Sequence, residues 1–134
     1  MAFTNPREHH PETQRALMPL QTSSVVVTTD STDVFTHESI DASSTLYVWG
    51  LSFCTSSTEL VTCDLKTDSG GDSLVKFGAS RNSSYMNFFP APIRVPRGDG
   101  IKLTNAAPAA VAQQLSSTVS VMTIWYNKIL DSGV

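Results

Sequence analysis

A nucleophilic triad needs an imidazole beside a hydroxyl and a carboxylate, and this sequence supplies only His9, His10 and His37 for that role. His9 and His10 sit in a proline-containing leader. His37 stands next to Glu38 between two predicted strands, where a solvated pair is the ordinary outcome. No GxSxG elbow, phosphate loop, HExxH pair or dinucleotide fingerprint occurs. Asp30 to Asp33 and Asp68 to Asp72 place carboxylates at short spacing and could hold a surface calcium ion, but Asp in these Ser- and Gly-rich clusters is ordinary turn chemistry. Arg97-Gly98-Asp99 spells a tripeptide that integrins read in extracellular ligands, and it is expected here as a hairpin tip. The expectation is a protein that is not an enzyme and carries no metal or cofactor.

Cys54 and Cys63 are the only thiols. If Ser56 and Ser57 turned a hairpin between their strands, Cys54 would face about Glu59 and Cys63 about Gly50, so the two would not oppose each other. Two free thiols acting as small core hydrophobes are expected. With no nearby histidine they also make a poor metal site.

The elements that must position these residues read as β. Short apolar runs over residues 24–29, 45–53, 59–66, 74–79, 86–89, 93–95, 101–104 and 118–126 are separated by turn clusters at 30–33, 41–44, 68–72 and 81–84. Strands at that spacing predict an all-β fold: an antiparallel β-sandwich or jelly-roll-like single domain over 23–134, preceded by an extended N-terminal arm over 1–22. Residues 106–117 have room for one helical turn. Pro92 to Val95 and Ile101 to Thr104 are expected to form a hairpin, with Gly98 and Gly100 accepting a positive φ in the turn.

Two strands carry apolar residues on both faces. Tyr47, Trp49, Leu51 and Phe53 alternate with Leu46, Val48, Gly50 and Ser52, and the aromatic set is the better candidate for the core; it is also the shape of a sugar-stacking platform. In the last strand Val119, Val121, Thr123 and Trp125 alternate with Ser120, Met122, Ile124 and Tyr126. One of those faces is expected in a subunit contact, and Met122, Ile124 and Tyr126 are the residues assigned to it.

At 134 residues and 40% hydrophobic composition the chain can bury one core without staples. Its net charge of −3, with nine scattered Lys and Arg, offers no stripe for a phosphate backbone, so no nucleic acid is expected. No apolar run is long enough to span a bilayer, and the polar start lacks a signal-peptide core, so no membrane is expected either and assembly in a cytoplasm is. The arm holds Pro6, Pro11 and Pro19 and no period-2 pattern; it reads either as a flexible tail or as a segment held by a neighbouring chain.

The segment Phe89-Pro90-Ala91-Pro92-Ile93-Arg94-Val95-Pro96-Arg97-Gly98-Asp99-Gly100-Ile101-Lys102-Leu103, followed by a last strand ending Ile124-Trp125-Tyr126, resembles the back half of small tailed-phage virion proteins. Trp49-Gly50-Leu51-Ser52-Phe53 resembles their early strands, so the similarity spans about residues 23–127. The resemblance implies a capsid decoration, or cement, protein: a β-sandwich, commonly a homotrimer, on the outer surface of the virion where major capsid protein subunits meet. In that setting the arm, through Phe3, Arg7, Arg15, Leu17 and Met18, is expected to grip the capsid or an adjacent copy. A trimeric receptor- or carbohydrate-binding tip of a tail or fibre is the alternative, and a hydrolase on the same scaffold is the enzymatic one.

Overall fold

The computed structural model describes residues 20–36, 39–106 and 115–130. Eight strands run in the order β1 (Gln21–Val27), β2 (Ser31–Phe35), β3 (Ser44–Thr55), β4 (Val61–Thr67), β5 (Ser73–Ala79), β6 (Tyr85–Arg94), β7 (Ile101–Asn105) and β8 (Ser120–Leu130). They form two antiparallel four-stranded sheets, β1-β8-β3-β6 and β2-β7-β4-β5, which makes the protein an all-β sandwich. Among the described residues no helix is long and apolar enough to cross a membrane. The one described helical element between β7 and β8 is the 3-10 turn Leu115–Ser117, inside the span expected to hold a turn of helix.

Both sheets send one side chain in two inward. Val27, Leu46, Val48, Leu51, Phe53, Met122 and Ile124 from the first sheet meet Val61, Cys63, Leu65, Phe77, Ile101 and Leu103 from the second, with Leu115 beneath the last connection. Phe53 and Phe77 meet edge to face across the middle at 5.3 Å between ring centroids.

Three expectations fail on the path of the chain. The stretch around Asp30 and Asp33 is not only a turn, because Ser31–Phe35 is an edge strand paired with β7. The alternation of β branching there is short and was masked by its Ser, Thr and Asp content. The 92–104 segment is not a hairpin: β6 pairs with β3 and β7 with β2 and β4, so residues between Arg94 and Ile101 carry the chain from one sheet to the other. Gly98 does adopt a positive φ of 75°, with its amide donating to the Ser44 carbonyl at 2.8 Å. Gly100 serves differently, since a Cβ there would collide with the carbonyl oxygen of Phe35. Likewise β3 and β4 belong to different sheets, so Cys54 and Cys63 are separated by layer; both are free, but only Cys63 is buried and Cys54 is exposed.

The predicted boundary at 22/23 falls inside β1, which takes Gln21 and Thr22 from the expected arm. Residues 1–19 of that arm, with Phe3, Arg7, Arg15, Leu17 and Met18, lie outside the described residues, as do His9, His10 and His37.

Candidate interaction surface

A β-bulge decides what each side of the first sheet displays. Between Val48 and Gly50 the register of β3 shifts against both neighbours, with Trp49 as the extra residue opposite β8. Inward positions therefore change phase, from Leu46 and Val48 before the bulge to Leu51 and Phe53 after it. The aromatic row expected on one face is split: Leu51 and Phe53 belong to the core cluster, whereas Tyr47, itself buried, and the half-buried Trp49 stand on the outer side of the sheet. Trp49 Nε1 donates to Asn127 Oδ1 at 3.0 Å, and Asn127 is itself buried.

The last strand reverses the assignment made from sequence. Met122 and Ile124 are fully buried among the core residues, and the Tyr126 ring packs edge to face on Phe35 with centroids 4.9 Å apart. Met122 and Ile124 fill the sandwich and leave no surface for a subunit contact, while Tyr126 is half-buried against the core. The physical reason is volume: of two apolar faces, the one carrying Met, Ile and Tyr fills a two-sheet interior better than one carrying Val, Thr and Trp.

The opposite face of β8 opens outward, and its neighbours complete three cross-strand rows: Val26-Val121-Cys54, then Ser24-Thr123-Ser52-Met86, then Thr22-Trp125-Gly50-Phe88. None of these residues carries a charge. Met86 (63%), Val26 (60%), Phe88 (48%) and Val121 (40%) are the exposed large apolar side chains of the patch. Phe88 and Trp125 lie 4.9 Å apart over Gly50, where an added Cβ would sit 2.5 Å from Phe88 Cδ1. Glycine here lets two aromatic rings from flanking strands cover the backbone. In the middle row the Ser24 and Thr123 hydroxyls bond at 2.8 Å.

The second sheet presents the reverse. Its outward positions include Asp33, Asp64, Lys66, Lys76 and Lys102, with Asp33 and Lys66 each opposite Lys102, and Asp64 opposite Lys76. The carboxylate of Asp64 is buried and accepts the Ser73 hydroxyl at 2.6 Å. Three adjacent rows on one broad side of the sandwich are thus uncharged and part-apolar, bordered by the exposed Arg94 opposite Tyr47 in a further row, and the other side carries charges on each of its four strands. That contrast is the main functional signal of the molecule, because a surface meant only for water has no reason to leave three adjacent rows without a charge.

Groups singled out for chemistry are occupied in structure. Asp99 is 8% exposed and its carboxylate accepts Ser69 N (3.0 Å), Ser69 Oγ (2.7 Å) and Gly100 N (2.8 Å), so the Arg97-Gly98-Asp99 motif turns its acid inward. Asp30 Oδ1 accepts the Ser116 amide at 2.9 Å and fixes the 3-10 turn. Asp41 accepts both the amide and hydroxyl of Ser43; the amide bond above all, and the hydroxyl next, hold its carboxyl below the usual range. Thr67 Oγ1 accepts the Asp72 amide, closing the 68–72 turn in which Gly71 has φ 70°. Burial pushes the Cys63 thiol up to about 12, so it stays protonated and inert. Among the described residues no three of His, Cys, Asp and Glu gather closely enough to hold a metal ion.

An open hollow of about 420 Å³ is bordered by Thr62, Cys63, Lys76, Phe77 and Ala106, and a smaller cleft of about 190 Å³ is lined by Ser56, Ser57, Thr58, Ser117 and Thr118. Neither brings an activated nucleophile beside a base. Compared with known protein families and with characterised proteins, the chain matches none.

Proposed function

We propose that this chain is a structural virion protein that decorates and stabilises a phage capsid from its outer surface, binding between major capsid subunits as a homotrimer. The observation that carries the reading is the contrast between an uncharged, part-apolar patch of three rows on one sheet and the charged outward positions of the other, the polarity of a body that is covered by protein on one side and wet on the other. The strand order supports it as well. β1 pairs with β8, β2 with β7, β3 with β6 and β4 with β5, a nested order that we read as jelly-roll-like, an architecture at home in viral shells.

Magnitude favours a many-copy role over a solitary contact. Three rows across four strands span roughly 400 Å², from a strand spacing of about 4.8 Å and about 6.8 Å between same-face neighbours. A standard stable interface takes about 800 Å² per partner. One such patch gives a weak grip, and three linked in a trimer raise avidity by about 10² to 10⁴.

The test is made on particles. Mass spectrometry of purified virions should find the chain at high copy, and virions lacking it should lose their contents at a lower temperature than complete ones. Val121→Lys, which places a charge in the uncharged face at an exposed position, should reduce its incorporation. A chain absent from virions, or present without effect on their heat resistance, overturns the proposal. The exposed Phe88 ring and the half-buried Trp125 ring, beside hydroxyl-bearing Thr22, Ser24 and Thr123, favour one second reading, a carbohydrate-binding tip of a tail or fibre. Low copy number together with binding on a sugar array would select it.

A further inference from the structure

A two-sheet sandwich has four strand edges, and three of them are guarded. β6 carries Pro90 and Pro92 and loses register with β3 over that stretch; β5 slips against β4 between Leu65 and Lys66 and bears Lys76; β2 is short, holds Asp33 and is bulged between Asp33 and Phe35. Prolines, bulges and charges are the devices by which proteins stop a sheet edge from recruiting another strand.

The fourth edge has none of them. β1 reads Gln21-Thr22-Ser23-Ser24-Val25-Val26-Val27, pairs with β8 through seven successive residues without a shift, and contains no proline, glycine or charge. Its other side is open: no backbone hydrogen bond among the described residues reaches it apart from the pairing with β8. An extended, regular, unguarded edge offers a row of amides and carbonyls to an added strand.

We infer that the open edge of β1 pairs antiparallel with β1 of a second copy of this chain about a two-fold axis at Ser24. Two properties of the strand select a copy of itself as the occupant. In that register Thr22 lies opposite Val26, Ser23 opposite Val25 and Ser24 opposite its own mate, so outward residues meet outward residues and no charge opposes a like charge. The strand contributes none of the chain's net charge of −3, so two copies can meet along it without burying or opposing a charged side chain. The pairing also joins two uncharged faces into one continuous eight-stranded surface. It rests on the capsid reading only for its setting, in which a two-fold edge contact ties one trimer to the next across a shell.

The experiment uses the full chain with Cys54→Ser, so that a single introduced thiol reports position. Ser24→Cys in that background should form an intermolecular disulfide rapidly under mild oxidation, because the mates lie at about 4.5–5.5 Å between Cβ atoms in such a pair. Met86→Cys, on the same face but at the proline-guarded edge, should not. Sedimentation of the native chain at about 100 µM, where contacts with Kd in the tens of micromolar are well populated, should show dimers or larger even assemblies, and Ser24→Lys should weaken them at least about tenfold. Only monomer at that concentration, assemblies indifferent to Ser24→Lys, or cross-linking at Met86→Cys in place of Ser24→Cys each overturn the inference; the last means face-to-face packing, and failure to cross-link at all is also the result if the chain's own residues 1–19 cover the edge. The two proposals separate cleanly. Cross-linking by a chain absent from virions sinks the capsid reading alone, and virion incorporation without cross-linking sinks the edge pairing alone.

Discussion

Replacing Asp99 with alanine should be among the most damaging single changes outside the apolar core. The carboxylate joins two segments far apart in sequence, the crossing between sheets at Gly100 and the β4–β5 turn at Ser69, through three bonds of 2.7 to 3.0 Å. A hydrogen bond to a charged group is worth about 1.5–3 kcal/mol, and removing the acceptor leaves two amides and a hydroxyl without a partner. Because the side chain is 8% exposed, water can replace only part of this, and because the bonds share one group they do not add in full. The expected loss is about 3 kcal/mol. Asn at the same position keeps an oxygen for the two amides, and the Ser69 hydroxyl can turn to accept from the new NH₂ group, so Asp99→Asn should cost about 1 kcal/mol. Urea unfolding reads the difference: with a slope of about 1.5 kcal/mol per molar, the alanine variant should shift its midpoint by about 2 M and the asparagine variant by less than 1 M. A midpoint for Asp99→Ala within about 0.3 M of the native protein would refute the bracing role. Equal damage from both variants would show that charge, and not the geometry of acceptance, is what matters.

Other outcomes follow from the same coordinates of burial and pairing. Met122→Ala should destabilise by about 2–5 kcal/mol and Val121→Ala by no more than about 0.5, measured by the same unfolding curves, since one neighbour fills the core and the other faces out. One thiol, Cys54, should react quickly with a disulfide reagent in the native protein, and Cys63 only after denaturant is added. The Cys63 thiol rises from 9.0 to about 12 on folding, so the unfolded chain gives up its proton first. Its contribution is therefore complete below pH 9.0 and should decline by about 1.4 kcal/mol per pH unit from there toward about 12; Cys63→Ala should lack that decline, so the native-minus-variant difference should fall over that interval. Gly98→Ala should lower stability by about 1–2 kcal/mol or more, because φ is 75° and the new Cβ would stand 3.2 Å from the Ala42 backbone; a midpoint unchanged by this variant would contradict the strained turn.

Sequence patterning carried the β class and most strand centres, since apolar alternation and Asx-rich turns are local signals: the predicted 45–53, 74–79 and 101–104 segments all fall within strands. What it missed was non-local. Nothing in Trp49 announces a bulge, yet that residue moves Leu51 and Phe53 to the opposite face from Trp49 and dissolves the aromatic row. Pro96 to Gly100 has the composition of a hairpin turn, and only the partners chosen by β6 and β7 reveal a crossing between layers. For β8 the two faces were legible and the choice between them was not. Comparing summed side-chain volume, Met122, Ile124 and Tyr126 against Val121, Thr123 and Trp125, with three core strands already Leu- and Val-rich, was the available clue. The outward patch had a readable signal as well, the run of β1 and β8 positions at alternate spacing without a single charge.

The place of β8 in the first sheet has a consequence for how the molecule is made. It lies between β1 and β3, so the earliest strand has no partner in its sheet until the last one has been synthesised. Only β4 and β5 join through a short link, while every other pairing closes a long span of chain, the topology that folds slowly. A chain interrupted before Ser120 would leave β1 and β3 without the strand that unites them, with the apolar inner face of the first sheet open to aggregation.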